Sequence, residues 1–288
     1  MPFMHYVLEP NGEVLEMEMG PGTESWTYLE EISPFLVYAV LSHEDAGFFK
    51  HRGFSPVHIR RALVRNLEER RYVVGASTIT MQLAKNLFLR REKTLARKVQ
   101  EVLLTWWMER VMEKRDILEL YLNVIEYGPG LYGIRQATRH YFNRLPSELS
   151  PGESVYLSMI LPNPKRYHVY FERGSVPASW VERMRRMLLR MQEKGWYTPE
   201  AAAYGLREIG QLRFARQGQI PENRVIPGGT RKLPYMQDYS DDWDWEWGGD
   251  SDGYDENEGP RPSGSDAAVR EGAGGVVPDG AGNAIPER

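Results

Sequence analysis

Two adjacent carboxylates, Glu44 and Asp45, are the first residues of the chain whose setting suits chemistry. They follow an apolar run and precede Phe48, His51 and Gly53. A carboxylate at the end of an apolar helix is poorly hydrated, which raises its pKa and suits a general base. The alternative is structural: the two carboxylates cap a helix or form salt bridges, and His51 belongs to the core.

A second cluster runs from Gly75 to Asn86 and reads GASTITMQLAKN. A glycine followed by hydroxyl residues and then Lys85 can form a loop and a helix N-terminus that receive a phosphate. The pattern is not a P-loop, because no glycine precedes Lys85 and neither Ser nor Thr follows it. The alternative is a capped helix with Lys85 in solvent.

A third cluster lies within the longest predicted helix, residues 94–112. Arg97 and Lys98 stand four and three residues before Glu101, so the three side chains can share one helix face. Two cations with a carboxylate can hold a diphosphate, either directly or with a metal ion. The alternative is ordinary salt bridging along a helix.

A fourth cluster, residues 114–123, is read as structural. Its sequence KRDILELYLN predicts an amphipathic helix that packs Ile117, Leu118, Tyr121 and Leu122. The letters EYGPG follow at 126–130, and their glycines are expected to turn the chain.

The elements that must position these clusters are mostly helical. Residues 3–19 alternate around Pro10-Asn11-Gly12, which predicts a β-hairpin. Helices are predicted from Ser55-Pro56 to about residue 70, from a capping box at Ser150 to before Pro162, from a second box at Ser179 to Gly195, and from Thr198-Pro199. In the helix 94–112, one apolar face is expected from Leu95, Val99, Val102 and Trp106.

Composition sets the domain boundaries and excludes several classes of site. The 288 residues include no Cys, which excludes a disulfide scaffold, a Cys-ligated metal and a Cys nucleophile. Residues 221–288 hold 15 acidic and 6 basic residues, so this end is acidic and the remainder is mildly basic. A basic body favours an anionic partner. We predict a hairpin extension over 1–22, a helical domain over 23–216 and a disordered tail over 217–288.

Neither a transmembrane segment nor a signal peptide is predicted. The longest uncharged apolar run, ISPFLVYAVLS at 32–42, is well short of the roughly 20 residues that a spanning helix needs. The first residues, MPFMHYVLEP, lack a basic segment followed by an apolar one.

Taken in order, the four clusters resemble the motifs of the family 51 glycosyltransferases, the peptidoglycan transglycosylase domains of penicillin-binding proteins. The resemblance covers residues 34–171 and is greatest to the monofunctional biosynthetic members, as the later letters LPNP at 161–164 also indicate. It departs from the family at Met81, where Gln is usual, and no penicillin-reactive Ser-x-x-Lys motif lies downstream.

The resemblance implies a mainly α, lysozyme-like fold of two lobes, the smaller facing the membrane. It implies an enzyme that joins lipid-linked disaccharide-peptide (lipid II) into β-1,4 glycan strands, with inversion and release of polyprenyl diphosphate. Glu44 matches the general base and Glu101 the second essential carboxylate. The remaining motif positions, which match substrate-binding or site-shaping residues, are Asp45, Phe48, His51, Thr78, Gln82, Lys85, Asn86, Arg97 and Lys98.

The resemblance also implies the setting of the reaction. We expect lipid II, the growing glycan chain and an anionic membrane surface as partners, with other cell-wall synthesis proteins as further candidates and no nucleic acid. No organic cofactor is expected, and a divalent cation, Mg²⁺ or Mn²⁺, near Glu101 stays open. The expected location is the outer, periplasmic face of the cytoplasmic membrane, with peripheral attachment.

Two other functions stay open from the residues alone. Two carboxylates also serve a lysozyme-like glycan hydrolase, although Arg97 and Lys98 have no role on a neutral glycan. A non-catalytic scaffold would bind lipid II or synthesis partners through the Trp-containing acidic tail, although the intact Glu44 and Glu101 argue against it.

Overall fold

The N-terminal hairpin predicted for residues 3–19 is present. A computed structural model of the chain describes residues 1–8, 12–70, 76–89, 94–215 and 224–233. Strands β1 (Phe3–Leu8) and β2 (Val14–Met19) pair antiparallel, with Phe3 opposite Met19 and Leu8 opposite Val14. Alternate residues face the body, so His5 is buried with its ring 6.4 Å from that of Tyr132.

The rest of the described chain is mainly α, as predicted. A second short antiparallel hairpin, β3 (Glu126–Gly128) and β4 (Leu131–Tyr132), interrupts the helices where the EYGPG letters predict a turn. The helices are α1 (Pro34–Glu44), α2 (Pro56–Glu68), α3 (Ile79–Phe88), α4 (Leu95–Val111), α5 (Lys114–Val124), α6 (Ile134–Phe142), α7 (Pro151–Ile160), α8 (Pro164–Glu172), α9 (Ala178–Glu193) and α10 (Pro199–Glu208).

Helix α1 lies at the centre of the larger group of helices. It packs against α7 and α9, and α10 packs against both of those. Every residue from Phe35 to Ser42 is buried, as expected for a helix that is apolar all round. Tyr38 stacks on Trp196 with ring centroids 5.4 Å apart. The core therefore fixes α1, and with it the carboxylate at the C-terminal end of the helix.

A smaller group of helices carries the other predicted clusters. Helix α3 packs against α4 and α5, so the second and third clusters of the sequence lie side by side. The Thr78 and Thr94 hydroxyls accept backbone N–H groups at the starts of α3 and α4. The two starts are therefore defined by their own sequence.

Most of the helix caps that the sequence predicts are present in the structure. Ser55 and Thr198 cap α2 and α10, and Ser150 forms the predicted reciprocal box with Glu153. Gly195 follows α9 with φ 68°, the left-handed conformation expected of it.

The second predicted capping box, at Ser179, is wrong. Helix α9 begins at Ala178, and its N-cap is Pro177 in an extended conformation without a side-chain cap. Ser179 is thus already inside the first turn of the helix and cannot serve as its N-cap.

Part of the predicted acidic tail belongs to the folded body. Residues 224–233 lie against α7, α10 and the residues after α9, and Leu233 is buried. The Tyr38 hydroxyl donates to the Lys232 carbonyl oxygen at 2.8 Å. Residues 224–233 therefore pack on the body, although they lie within the range 217–288 that the sequence predicts to be disordered. The rest of the range 217–288, including its Trp-containing acidic motif, lies outside the described residues.

Candidate active site

Glu44 is the last residue of α1, and its side chain is 9% exposed. One carboxylate oxygen accepts from His43 Nδ1 at 2.9 Å and the other from Gln82 Nε2 at 2.6 Å. Burial raises the pKa of Glu44, but the hydrogen bond and charge of His43, the Gln82 amide and the Lys85 charge outweigh it. The pKa therefore lies below its usual value. The raised pKa that the sequence predicts for Glu44 is therefore wrong, and Glu44 is ionised at neutral pH.

A hydrogen-bond chain fixes the orientation of Gln82. The Tyr121 hydroxyl donates to Gln82 Oε1 at 3.1 Å, so the amide must present its N–H₂ group to Glu44. Burial raises the pKa of Tyr121 well above the usual value, which keeps the hydroxyl a donor. The sequence predicts Tyr121 only as a packing residue, and no signal in it indicates the hydrogen bond to Gln82.

Asp45 ties the end of α1 to the start of α3. It is 1% exposed, and its oxygens lie 2.9 and 3.0 Å from His51 Nε2. One of them also accepts the Ile79 N–H at 3.2 Å. Asp45 therefore joins the end of α1 both to the start of α3 and to the loop that carries His51.

Thr78 and Phe48 also support the site from within the fold. The Thr78 hydroxyl donates to the Gly53 carbonyl at 2.7 Å and accepts the Met81 N–H at 3.2 Å. Phe48 is fully buried, with the Lys114 ammonium 4.3 Å from its ring centroid. These motif positions fix the loop between α1 and α2 against α3.

The third cluster shares one face of α4, as the spacing predicted. Glu101 is 2% exposed, and its two oxygens accept from Arg97 Nη1 at 3.1 Å and from Lys98 Nζ at 2.5 Å. The Arg97 and Lys98 side chains are 21% and 45% exposed. The buried carboxylate therefore anchors two cations that still reach solvent.

Lys85 is an exposed residue of α3, the helix that packs against α4. The pKa of Lys85 is lowered, chiefly by desolvation of its ammonium, while the charges of Glu101 and Glu44 act in the opposite direction. Both predicted catalytic carboxylates are therefore close enough to Lys85 to influence its pKa. Asn86, the next residue of α3, is exposed.

The donor set does not resemble a protein-held metal site. Within the described residues, no group of three or more His, Asp or Glu side chains could hold a metal ion. Both oxygens of Glu101 already accept from cations. We therefore derive no step through a divalent cation.

A further set of residues behind the site was not predicted. Glu109 accepts from Lys114 Nζ at 2.8 Å and from the Thr80 hydroxyl. Desolvation lowers the pKa of Lys114, while Glu109 and Asp45 raise it. The one sequence signal for this set is that Glu109 lies two turns after Glu101 on α4.

No described helix is both long and apolar enough to cross a membrane.

Comparison with known proteins gives consistent relatives. The chain is 48% identical over 145 residues to a biosynthetic peptidoglycan transglycosylase of Nitrosomonas eutropha, which covers 50% of this chain and 59% of the relative. It is 43% identical over 164 residues to the protein of that name from Nitrosospira multiformis, an alignment that covers 57% of this chain and 69% of the relative. A third relative, from Laribacter hongkongensis, is 46% identical over 145 residues, and the alignment covers 50% of this chain and 64% of the relative. The chain thus spans about 59–69% of the length of these relatives.

Residues 11–192 match the profile of the family described as Transglycosylase, and this range holds all the predicted site residues. The match covers more than half of the chain, and the chain therefore belongs to the transglycosylase family.

Proposed function

We propose that this chain is a peptidoglycan glycosyltransferase that polymerises lipid II into β-1,4 glycan strands, with inversion and release of polyprenyl diphosphate. The observation that carries the proposal is the packing of α3 against α4: Gln82 on α3 donates to Glu44 at 2.6 Å, and Glu101 on α4 holds Arg97 and Lys98. The names of the relatives support the same activity.

Glu44 acts as the general base in this proposal. The acceptor hydroxyl gives its proton to Glu44 while its oxygen forms a bond to the anomeric carbon of the donor. The bond from that carbon to the diphosphate breaks, and its electron pair leaves with the diphosphate. An ionised carboxylate can accept a proton at neutral pH, and the Gln82 and His43 contacts hold Glu44 in place.

Lys85, Arg97 and Lys98 stabilise the leaving diphosphate. Each supplies N–H donors where negative charge develops, and removal of one such contact usually slows a reaction by about 10²–10³. Glu101 then acts as a positioning residue, because its two oxygens are bound to Arg97 and Lys98. We therefore assign its essential role to the orientation of these cations.

The same three cations favour a transferase over the alternatives. Hydrolysis of a neutral glycan develops no diphosphate charge, so a hydrolase has no use for them. A scaffold needs no ionised base held by two hydrogen bonds at the end of a buried helix.

We place this reaction at the outer face of the cytoplasmic membrane, where lipid II and the growing strand would be the partners. Exposed apolar side chains on α2 and α4 support peripheral contact with a bilayer; they include Val57, Ile59, Leu63, Val99, Leu103 and Trp107. Other cell-wall synthesis proteins remain candidate partners, and the need for Mg²⁺ or Mn²⁺ remains a question for the assay.

The test is polymerisation of lipid II by the purified full chain in detergent, with Mg²⁺, with Mn²⁺ and with a chelator. We expect β-linked strands and released polyprenyl diphosphate. Cleavage of preformed strands without polymerisation would indicate the hydrolase instead. Binding of lipid II without turnover would indicate the scaffold.

A further inference from the structure

A cleft of about 850 Å³ lies beside the site, between the loop after α1 and the C-terminal end of α4. The cationic side chains in its lining are Lys50, Arg52, Arg110 and Lys114. Glu109 is the one carboxylate among the described residues that line it. The cleft therefore has an excess of positive charge, which suits an anionic ligand.

The lining carboxylate is already neutralised. Glu109 pairs with Lys114 at 2.8 Å and also accepts from the Thr80 hydroxyl. Arg52 and Arg110 are exposed, and the Arg110 guanidinium lies 4.3 Å from the ring centroid of Trp106. A guanidinium offers five N–H donors in a planar fork that matches phosphate oxygens.

An apolar stripe on α4 runs into this cleft. Leu95, Val99, Val102 and Trp106 share one helix face, as the sequence predicted, but that face points away from the core. Their exposed fractions are 83%, 53%, 39% and 48%. Arg110 follows Trp106 by one turn and continues the stripe. A ligand that matches both features has an apolar chain and an anionic head.

We propose that the cleft binds the phosphate headgroup of an anionic phospholipid while the α4 stripe lies against the acyl chains. Tryptophan prefers the level of the headgroups, and arginine extends from an apolar surface to reach them. The proposal rests on the proposed function only in that both place the chain at a membrane.

This headgroup site is separate from the proposed diphosphate site. Arg97 and Arg110 are 13 positions apart on α4, which corresponds to about 20 Å along the helix axis. Arg97 pairs with the buried Glu101, whereas Arg110 stacks on the exposed Trp106. One phosphate group cannot contact both arginines.

The test is cosedimentation of the full chain with vesicles that contain no lipid II, made of phosphatidylcholine alone or mixed with phosphatidylglycerol. The Arg52→Gln/Arg110→Gln variant is compared with the wild type and with Arg185→Gln/Arg207→Gln. The control has the same change in charge at two exposed arginines outside the cleft lining.

We expect the cleft variant to bind mixed vesicles about 25-fold less tightly, since each basic residue near an anionic surface contributes about fivefold. The control should change by about twofold or less, and binding to pure phosphatidylcholine should be weak for all three proteins. Equal loss in both variants would show a general charge effect and overturn the proposal, as would no loss in either.

Two further measurements keep the result interpretable. Thermal unfolding should coincide for the wild type and both variants. If the cleft variant unfolds early, Arg52→Lys/Arg110→Lys replaces it and should bind mixed vesicles less tightly than the wild type, because lysine lacks the planar fork of donors; unchanged binding would then overturn the phosphate assignment. Inorganic phosphate is titrated without vesicles, and saturable phosphate binding with no preference for phosphatidylglycerol would overturn the lipid assignment. Because the vesicles contain no lipid II, vesicle binding can be interpreted even if the chain does not polymerise lipid II.

Discussion

Arg224 is expected to stabilise the fold strongly, and in a pH-dependent manner. Its Nη1 donates to Glu153 and to Glu208 at 2.9 Å each, and its Nη2 donates to Glu153 and to the Glu148 carbonyl. The side chains of Arg224, Glu153 and Glu208 are 17%, 6% and 16% exposed. Removing one partner of a buried ion pair costs about 3–5 kcal/mol. Because this cluster borders solvent, we expect Arg224→Ala to cost about 3 kcal/mol at neutral pH.

The pH dependence comes from Glu208. Burial and the Glu153 charge raise the pKa of Glu208 to about 7, against Ser150, Arg224 and the Gly152 N–H, which lower it. Since this pKa is higher in the folded than in the unfolded chain, the contribution of Glu208 to stability is fully present below its ordinary pKa. It is lost as the pH rises through about 7.

Arg224→Ala removes a charge that lowers the Glu208 pKa, so that pKa rises further in the variant. Each unit of rise adds about 1.4 kcal/mol to the cost of the substitution at pH 8, where the wild-type carboxyl is ionised. At pH 5 Glu208 is protonated in both proteins, and the cost should be smaller by about 1–2 kcal/mol.

The assay is urea unfolding of the full chain at pH 5 and pH 8. Arg207→Ala is the control, because Arg207 is an exposed arginine on α10, next to Glu208 in sequence. The control should cost less than about 0.5 kcal/mol at both pH values. An Arg224→Ala cost that is the same at both pH values, or no larger than the control, would refute the reasoning.

Three further changes have defined outcomes. Arg97→Ala and Lys98→Ala should each reduce the rate of lipid II polymerisation about 10²-fold without unfolding the chain, and normal kinetics with lower stability would show an ordinary salt bridge instead. A chain that ends after Leu233 should have the wild-type urea midpoint of unfolding, whereas a chain that also lacks residues 224–233 should have a lower midpoint. Equal midpoints for the two shortened chains would contradict the packing of residues 224–233 on the body. Gly53→Ala should lower the free energy of unfolding in urea by about 2–4 kcal/mol, because Gly53 has φ 84° and an added Cβ would lie 2.7 Å from Thr105 Cγ2. Wild-type stability of this variant would show that α4 can move to make room for the Cβ.

Features encoded within a few residues could be predicted from the sequence. The β1–β2 hairpin, the Ser150 capping box and the Gly195 conformation follow from side-chain chemistry next to the backbone they fix. The common face of Arg97, Lys98 and Glu101 follows from helical spacing.

Features set by tertiary packing could not be predicted in this way. The sequence predicts only a packing role for Tyr121, because its partner Gln82 is 39 residues away and the two meet only where α3 packs against α5. The direction of the Glu44 pKa depends on donors from two helices, which reverse the effect of burial. The sequence correctly predicts that the apolar residues of α4 share one face, but helical periodicity alone does not determine whether that face is turned to the core or to solvent.

Arg224 illustrates a second limit. Composition predicted an acidic tail from residue 217, yet one arginine within it meets two carboxylates on α7 and α10. Averages over a long segment do not reveal a short stretch with a buried partner.

The central claim is that Glu44 is the base that accepts the proton of the acceptor hydroxyl. The most direct measurement is the rate of lipid II polymerisation by Glu44→Gln, compared with Glu119→Gln. The control makes the same chemical change at Glu119, a carboxylate that accepts from Trp26 Nε1 and the Leu29 N–H. We predict that Glu44→Gln keeps the fold and loses about 10²–10⁴ in rate, while Glu119→Gln stays active at a lower unfolding temperature. A Glu44→Gln protein that keeps more than about a tenth of the wild-type rate would contradict the account.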